Sequence, residues 1–319
     1  MRLGRERLNL MQCKGRDMLD ETESVTAKLC SFARAYHSNN DRNKIFDDFL
    51  AYDIMGKDEY EEIGQLIEHD FKAELYDDTY SFKNADIRDR LFKYILPIPL
   101  SRAAFIEKEV DKFVKEHGRC QYVICGAGND TFAFRNENPN IKVFEIDHPD
   151  TQRYKLDKIR ELEWIIPENV KYVPVDFAKD DLLTKLIAYG FEYREPSVFA
   201  IPGVTYYLTL PVFEETLDNM SRIASKESRV IFDFPDETTF LEDAPERVKT
   251  LSTITEGLGE KMKHGYSYEE IKEALSRHSL FVDEHESPED IENNYFKNRA
   301  DNMTAFENVH FISAGKAEA

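Results

Sequence analysis

The residues with the plainest chemistry lie in one short stretch. An apolar run, QYVIC, leads directly into Gly126-Ala127-Gly128-Asn129-Asp130. Two residues without side chains at that point let a ligand lie against the backbone at the carboxyl end of a strand, where open α/β sheets bind their ligands. The next apolar run, KVFEID, ends in Asp147, about twenty residues past Gly126, where an acid bonds ribose hydroxyls in nucleotide-binding sheets. A third run, KYVPVD, ends in Asp176. Together they describe a nucleoside site. Position 131, where a dinucleotide fingerprint wants its third glycine, holds Thr131, which argues against a pyrophosphate cradle. Neither a P-loop nor a GxSxG elbow occurs. S-adenosylmethionine, which has ribose and adenine but no phosphate, suits such carboxylates better than an anionic nucleotide does.

These residues need a sheet to hold them. From about Ser24 to Gly118 the apolar spacing is helical, as in TAKLCSFARAYH, FDDFLAYDIM and RAAFIEKEVDKFVKEH. From Gln121 onward, short apolar runs (QYVIC, KVFEID, KYVPVD, SVFAIPG, RVIFDF) alternate with helical segments. Parallel neighbours need crossovers, and crossovers are usually helices, so the alternation predicts a doubly wound α/β core. After Phe234 a polar, helical stretch interrupts the rhythm before the closing runs FVDEHES and VHFISAG. The expected organisation is an N-terminal helical region over 1–118, a core over 119–235 and 267–319, and an inserted helical lid over 236–266.

Composition limits the partners. Lys and Arg number 42 against 62 Asp and Glu, a net charge of −20, which opposes binding to a phosphate backbone. Charged residues break every apolar stretch before it could span a bilayer. The N-terminal residues lack the continuous apolar core of a secretory signal, so a cytoplasmic address is expected. Cys13, Cys30, Cys120 and Cys125 follow no metal or disulfide spacing and read as reduced thiols. No metal site is expected; His285, in DEHESPED, reads as part of a solvated turn.

CGAGNDTFAFR followed by VFEIDHP resembles the corresponding segment of the leucine carboxyl methyltransferase-like family, specifically its bacterial polyketide-type branch. TAKLCSFARAYH, Ser101-Arg102, VPVDF, GVTYYLT and YFKNRAD match in order, so the resemblance runs from Thr26 to Ala314. It implies a class I S-adenosylmethionine-dependent O-methyltransferase with a seven-stranded, Rossmann-like sheet ending in an antiparallel hairpin. It also implies roles. Gly126 and Gly128 would carry the methionine moiety, Asp147 would accept the ribose hydroxyls, and Asp176 with Phe177 would meet the adenine. Arg102 would hold the cofactor carboxylate, for which a guanidinium fork is suited. A second cation would come from the first helix, Arg34 in preference to Lys28. Where the protein-methylating branch has a glutamate before the glycine following strand four, this chain has Pro202-Gly203, which implies a small-molecule acceptor.

An ionised carboxylate acceptor needs only positioning and desolvation. A hydroxyl would need a base, for which Tyr206, Tyr207 and His37 are the candidates; His37 reads first as a helix-surface residue and one tyrosine as core. Arg299 and Asp301 read as a surface ion pair or as part of the acceptor wall. Two other functions fit the same motifs: an NAD(P)-dependent oxidoreductase on a Rossmann core, and a nucleoside-binding protein without catalysis.

Overall fold

The computed structural model of the chain describes residues 24–74, 91–176 and 179–316. Ser24 caps the first helix, α1 (Val25–Asn40), by accepting the Ala27 N–H. The short α2 (Ala51–Met55) and the long α3 (Lys57–Glu74) follow. A π-turn, Leu91–Ile95, leads into α4 (Pro97–His117), which has proline in its first turn and stops at Gly118 in the left-handed region. FDDFLAYDIM reads as one buried helix face, but only Ala51–Met55 is helical and Phe49 is 59% exposed. The two aspartates at 47 and 48 are drawn into side-chain bonds instead, which competes with helix formation.

The core alternates as its sequence requires: β1 (Cys120–Cys125), α5 (Phe132–Arg135), β2 (Ile141–Asp147), α6 (Pro149–Glu161), β3 (Val170–Pro174), α7 (Leu182–Ala188), β4 (Ser197–Ile201), α8 (Leu210–Ile223) and β5 (Arg229–Pro235). Then come α9 (Glu246–Gly257), α10 (Tyr268–Arg277), β6 (Leu280–Glu286), α11 (Pro288–Ile291) and β7 (Val309–Lys316). The strands form one sheet of order β3-β2-β1-β4-β5-β7-β6. The first five strands are parallel, while β7 runs antiparallel to both β5 and β6.

Period-two alternation splits β1 between two cores: Tyr122 and Ile124 join one cluster, Val123 and Cys125 the other. The first cluster also takes Leu29, Phe32, Leu100 and Phe105, so the N-terminal helices share a core with the sheet. The second packs the sheet on Phe213 and Leu217 of α8 and on Ile271 and Leu275 of α10. The segment 236–266 leaves β5 and returns beside it, with Asp236 and Tyr266 bridged and the Tyr266 N–H donated to the Pro235 carbonyl. No helix among the described residues is long and apolar enough to cross a membrane.

Candidate active site

The carboxyl ends of β1, β2 and β4 open onto a cavity of about 360 Å³. Gly126 and Gly128 adopt φ of +75° and +46°, a region side chains disfavour. The N–H groups of Gly126 and Ala127 both go to the Ile146 carbonyl, folding the loop over the end of β2. Asp147 fixes the turn from the other side. Its Oδ2 accepts the Gly128 N–H at 2.6 Å and its Oδ1 the His148 N–H at 2.7 Å. Burial pushes its carboxyl above the ordinary value and these two donors oppose that shift. A Cβ at Gly128 would meet nothing within 4 Å, so the backbone there faces open cavity.

Arg102, on α4, reaches across the sheet ends to Asp233 near the end of β5. Its Nη1 lies 2.9 Å from Asp233 Oδ2, and its Nη2 donates to Cys30 Sγ at 3.4 Å. Asp233 is 0% exposed, and takes two further donors: the Gly203 N–H at 2.7 Å and the Tyr206 hydroxyl at 2.9 Å. Burial works against the charge on Arg102, but Asp233, Cys30 and Tyr206 together outweigh it and raise the guanidinium above its ordinary value. Sequence reasoning missed Asp233. The signal was an acid inside the otherwise apolar RVIFDF, since a buried carboxylate needs a partner.

On the opposite wall, Arg34 donates from Nε to Asp48 Oδ2 and from Nη2 to the Asn129 carbonyl, both at 2.9 Å. Asp48 also accepts from Thr131 Oγ1 and lies 3.3 Å from Arg135 Nε. Arg135 in turn clasps Glu107 with both terminal nitrogens. Thr131, the residue that stands where a dinucleotide site has glycine, thus ties the glycine loop to the N-terminal helices. Lys28, the alternative to Arg34, lines the same cavity and pairs with Glu59 at 3.3 Å. No periodic pattern marks Asp48, and nothing in the sequence singles it out.

Tyr206 and Tyr207 both line the cavity. Burial raises both phenols, Tyr207 to about 12. His37 is not on the helix surface: it is 0% exposed and lies outside the cavity lining. Its Nε2 accepts the Ile45 N–H at 2.8 Å, so the proton sits on Nδ1 and goes to Asp41 at 2.6 Å. Desolvation lowers its basicity. Asp176 also lies off the lining, with Lys179 Nζ 2.6 Å from its Oδ2. Phe177 lies outside the described residues. His285 is part of β6 rather than a solvated turn, stacked on Tyr268 at 4.2 Å between ring centres. Arg299 and Asp301 form a mostly buried pair away from the lining.

The donor set fits S-adenosylmethionine. Carboxylates at Asp130 and Asp147 flank the loop and would repel a pyrophosphate, while Arg102 supplies a cation for an amino-acid carboxylate. A sheet of this order with an antiparallel β7, and a ligand cavity between a glycine loop and an acid ending β2, defines a class I S-adenosylmethionine-dependent methyltransferase. The chain belongs to the leucine carboxyl methyltransferase family, whose model matches residues 27–221. A Bacillus subtilis protein, YktD, named in the class of S-adenosyl-L-methionine-dependent methyltransferases, is 36% identical over 94% of this chain and 100% of its own length. A Mycolicibacterium smegmatis protein named in the same class is 27% identical over 67% of this chain and 68% of its own. A solved structure from Streptomyces avermitilis, described as a duf574 family protein, shares the fold. Its TM-score is 0.55 at 14% identity, covering 89% of this chain and 96% of that one. Family membership decides against the dinucleotide oxidoreductase.

Proposed function

We propose that the protein methylates the carboxylate oxygen of a small molecule. The observation that carries this reading is that Tyr206, Tyr207 and Glu107 of the described cavity wall are already committed, while Asp147 is the acid left for the ribose. Tyr206 gives its proton to Asp233, Tyr207 holds its own up to about 12, and both oxygens of Glu107 are clasped by Arg135. An alcohol would need one of them as base. A carboxylate arrives ionised and needs only to be oriented and stripped of water.

In this reading Arg102 holds the cofactor carboxylate, Gly126 and Gly128 bring the backbone against its methionine chain, and Asp147 uses its remaining lone pairs for the ribose hydroxyls. Arg34 acts indirectly: by donating to the Asn129 carbonyl it holds the loop's shape. S-adenosylmethionine supplies a methyl carbon on a positively charged sulfur; the S–C electron pair stays on sulfur as the acceptor oxygen takes the methyl, and no proton moves. The segment 236–266 is the lid, excluding water from the acceptor oxygen through Leu251, Ile254 and Met262.

The test incubates the protein with methyl-labelled cofactor and a metabolite extract, then treats the products with base. Esters release labelled methanol; ethers do not. Base-stable label would show a hydroxyl acceptor, and no transfer despite binding of S-adenosylhomocysteine would favour the non-catalytic nucleoside binder.

A further inference from the structure

The inserted segment is fastened to one side of the cavity. The Lys263 N–H donates to the Tyr206 carbonyl at 2.9 Å, and the Tyr266 hydroxyl to the Leu208 carbonyl at 2.8 Å. Both acceptors follow β4, whereas Asp147 ends β2, two strands away across β1. Met262, next to Lys263, is thereby held on the β4 side of the cavity, and Leu251 and Ile254 of the same segment line that cavity. Tyr94 and Ile95 of the π-turn and Ile98 of α4 line the cavity too, and the π-turn packs against α9. Five of these six side chains belong to one hydrophobic cluster, either buried in it or packed against it; Met262 is buried beside them.

What this wall omits is as specific as what it presents. Of the described residues that the π-turn and the inserted segment bring to the cavity, only Tyr94 and Thr255 carry polar side-chain groups. Thr255 spends its hydroxyl on the Ser252 carbonyl. The buried charged residue of α9, Arg247, is absent from the lining and is engaged by Thr304 and Glu307. A second charge on the acceptor, set against these residues, would be stripped of water with no partner among them. Met262 adds a deformable surface that accommodates rings and branched chains. The cavity's volume of about 360 Å³ lies in the range of small-molecule sites.

We propose that this wall, formed by Tyr94, Ile95, Ile98, Leu251, Ile254 and Met262, is the binding site for the apolar body of a small monocarboxylic acid. The proposal rests on the carboxylate reading above and adds the acceptor's class: one charge, at the end facing the cofactor site, and none elsewhere.

The test uses the full chain saturated with S-adenosylhomocysteine and titrates matched acids by calorimetry: hexanoate against adipate, and benzoate against terephthalate. Each monoacid should bind at least about tenfold more tightly than its diacid. Leu251→Lys, placing a cation on the half-buried edge of the wall, should reverse the order by improving the diacids about tenfold, with affinity for S-adenosylhomocysteine unchanged. Should that variant fail to fold, Thr255→Lys makes the same comparison. Diacids that bind the native protein as well as monoacids, or an order untouched in a folded lysine variant, would overturn the proposal. Failure of the underlying reading looks different: ranked binding of monoacids with a base-stable methylated product would remove the ester chemistry and leave the apolar site standing.

Discussion

The Arg102 guanidinium sits 2.9 Å from the Asp233 carboxylate, and the two lie on elements 131 positions apart in sequence. That pair joins α4 to the end of β5, and through Asp233 it also holds the Gly203 N–H and the Tyr206 hydroxyl. Since Asp233 is fully buried, deleting Arg102 outright would leave an uncompensated interior charge, at a cost of about 3–5 kcal/mol. A binding role for Arg102 is better probed by a substitution that keeps the charge.

Arg102→Lys should leave the fold intact while weakening S-adenosylhomocysteine on the order of tenfold or more, because an ammonium lacks the fork with which, on the proposed reading, Arg102 would hold the ligand carboxylate. Adenosine, which has no carboxylate, should bind nearly as before. Parallel calorimetric titrations of the two ligands check this; equal weakening would assign Arg102 a purely structural part.

Gly203 faces the same guanidinium. A Cβ built there would lie 2.6 Å from Arg102 Nη1, and the backbone is at φ +69°. Gly203→Ala should lose about 1–2 kcal/mol from the left-handed backbone alone, and displace the guanidinium as well. The expected outcome is a lower melting temperature together with weaker S-adenosylhomocysteine binding. A variant with native affinity would show that Arg102 can shift without consequence for the ligand.

Much of this geometry was legible in the sequence. The alternation of apolar runs such as QYVIC and KVFEID with helical segments placed the glycine loop and Asp147 at the carboxyl ends of strands, because parallel neighbours joined by crossovers leave little freedom. The environment of His37 was not legible. Its partners Asp41 and Ile45 are near in sequence, but a helix with polar residues on several sides does not reveal which of them a neighbouring loop covers. Asp48 escaped for a related reason. It pairs with Arg34 and with Thr131, 83 positions away, and a long-range bond made from a loop leaves no periodic trace.

Asp147→Asn tests the ribose acid with little change of shape. The amide keeps one oxygen for the turn but loses the charge, and charge-assisted bonds contribute about 1.5–3 kcal/mol each. Affinity for both adenosine and S-adenosylhomocysteine should fall on the order of tenfold or more, unlike the selective loss at Arg102. Unchanged dissociation constants measured by calorimetry would take Asp147 out of the ligand site and leave it as a pin for Gly128.

His285 provides a pH dependence remote from the ligand cavity. Its ring stacks on Tyr268 and its Nε2 lies 2.9 Å from Nδ1 of His310, which stands 3.5 Å from Asp236 at the start of the inserted segment. Burial first, and the neighbouring His310 second, lower His285 from 6.5 to about 4; Asp290 pulls weakly the other way. A base with a lowered folded value binds its proton more tightly when unfolded, so its stabilising contribution is complete above pH 6.5 and is lost as pH falls toward about 4. His285→Phe keeps a ring for the stack and removes the titration. Between pH 6.5 and 4 the native protein should lose on the order of 1 kcal/mol more stability than the variant, a few degrees in melting temperature, after allowing for the ring's partial exposure. Melting curves collected across that range, with the carboxylates common to both proteins, isolate the difference. Parallel curves would mean that the stacked histidine pair takes up a proton without strain and that acid sensitivity arises elsewhere.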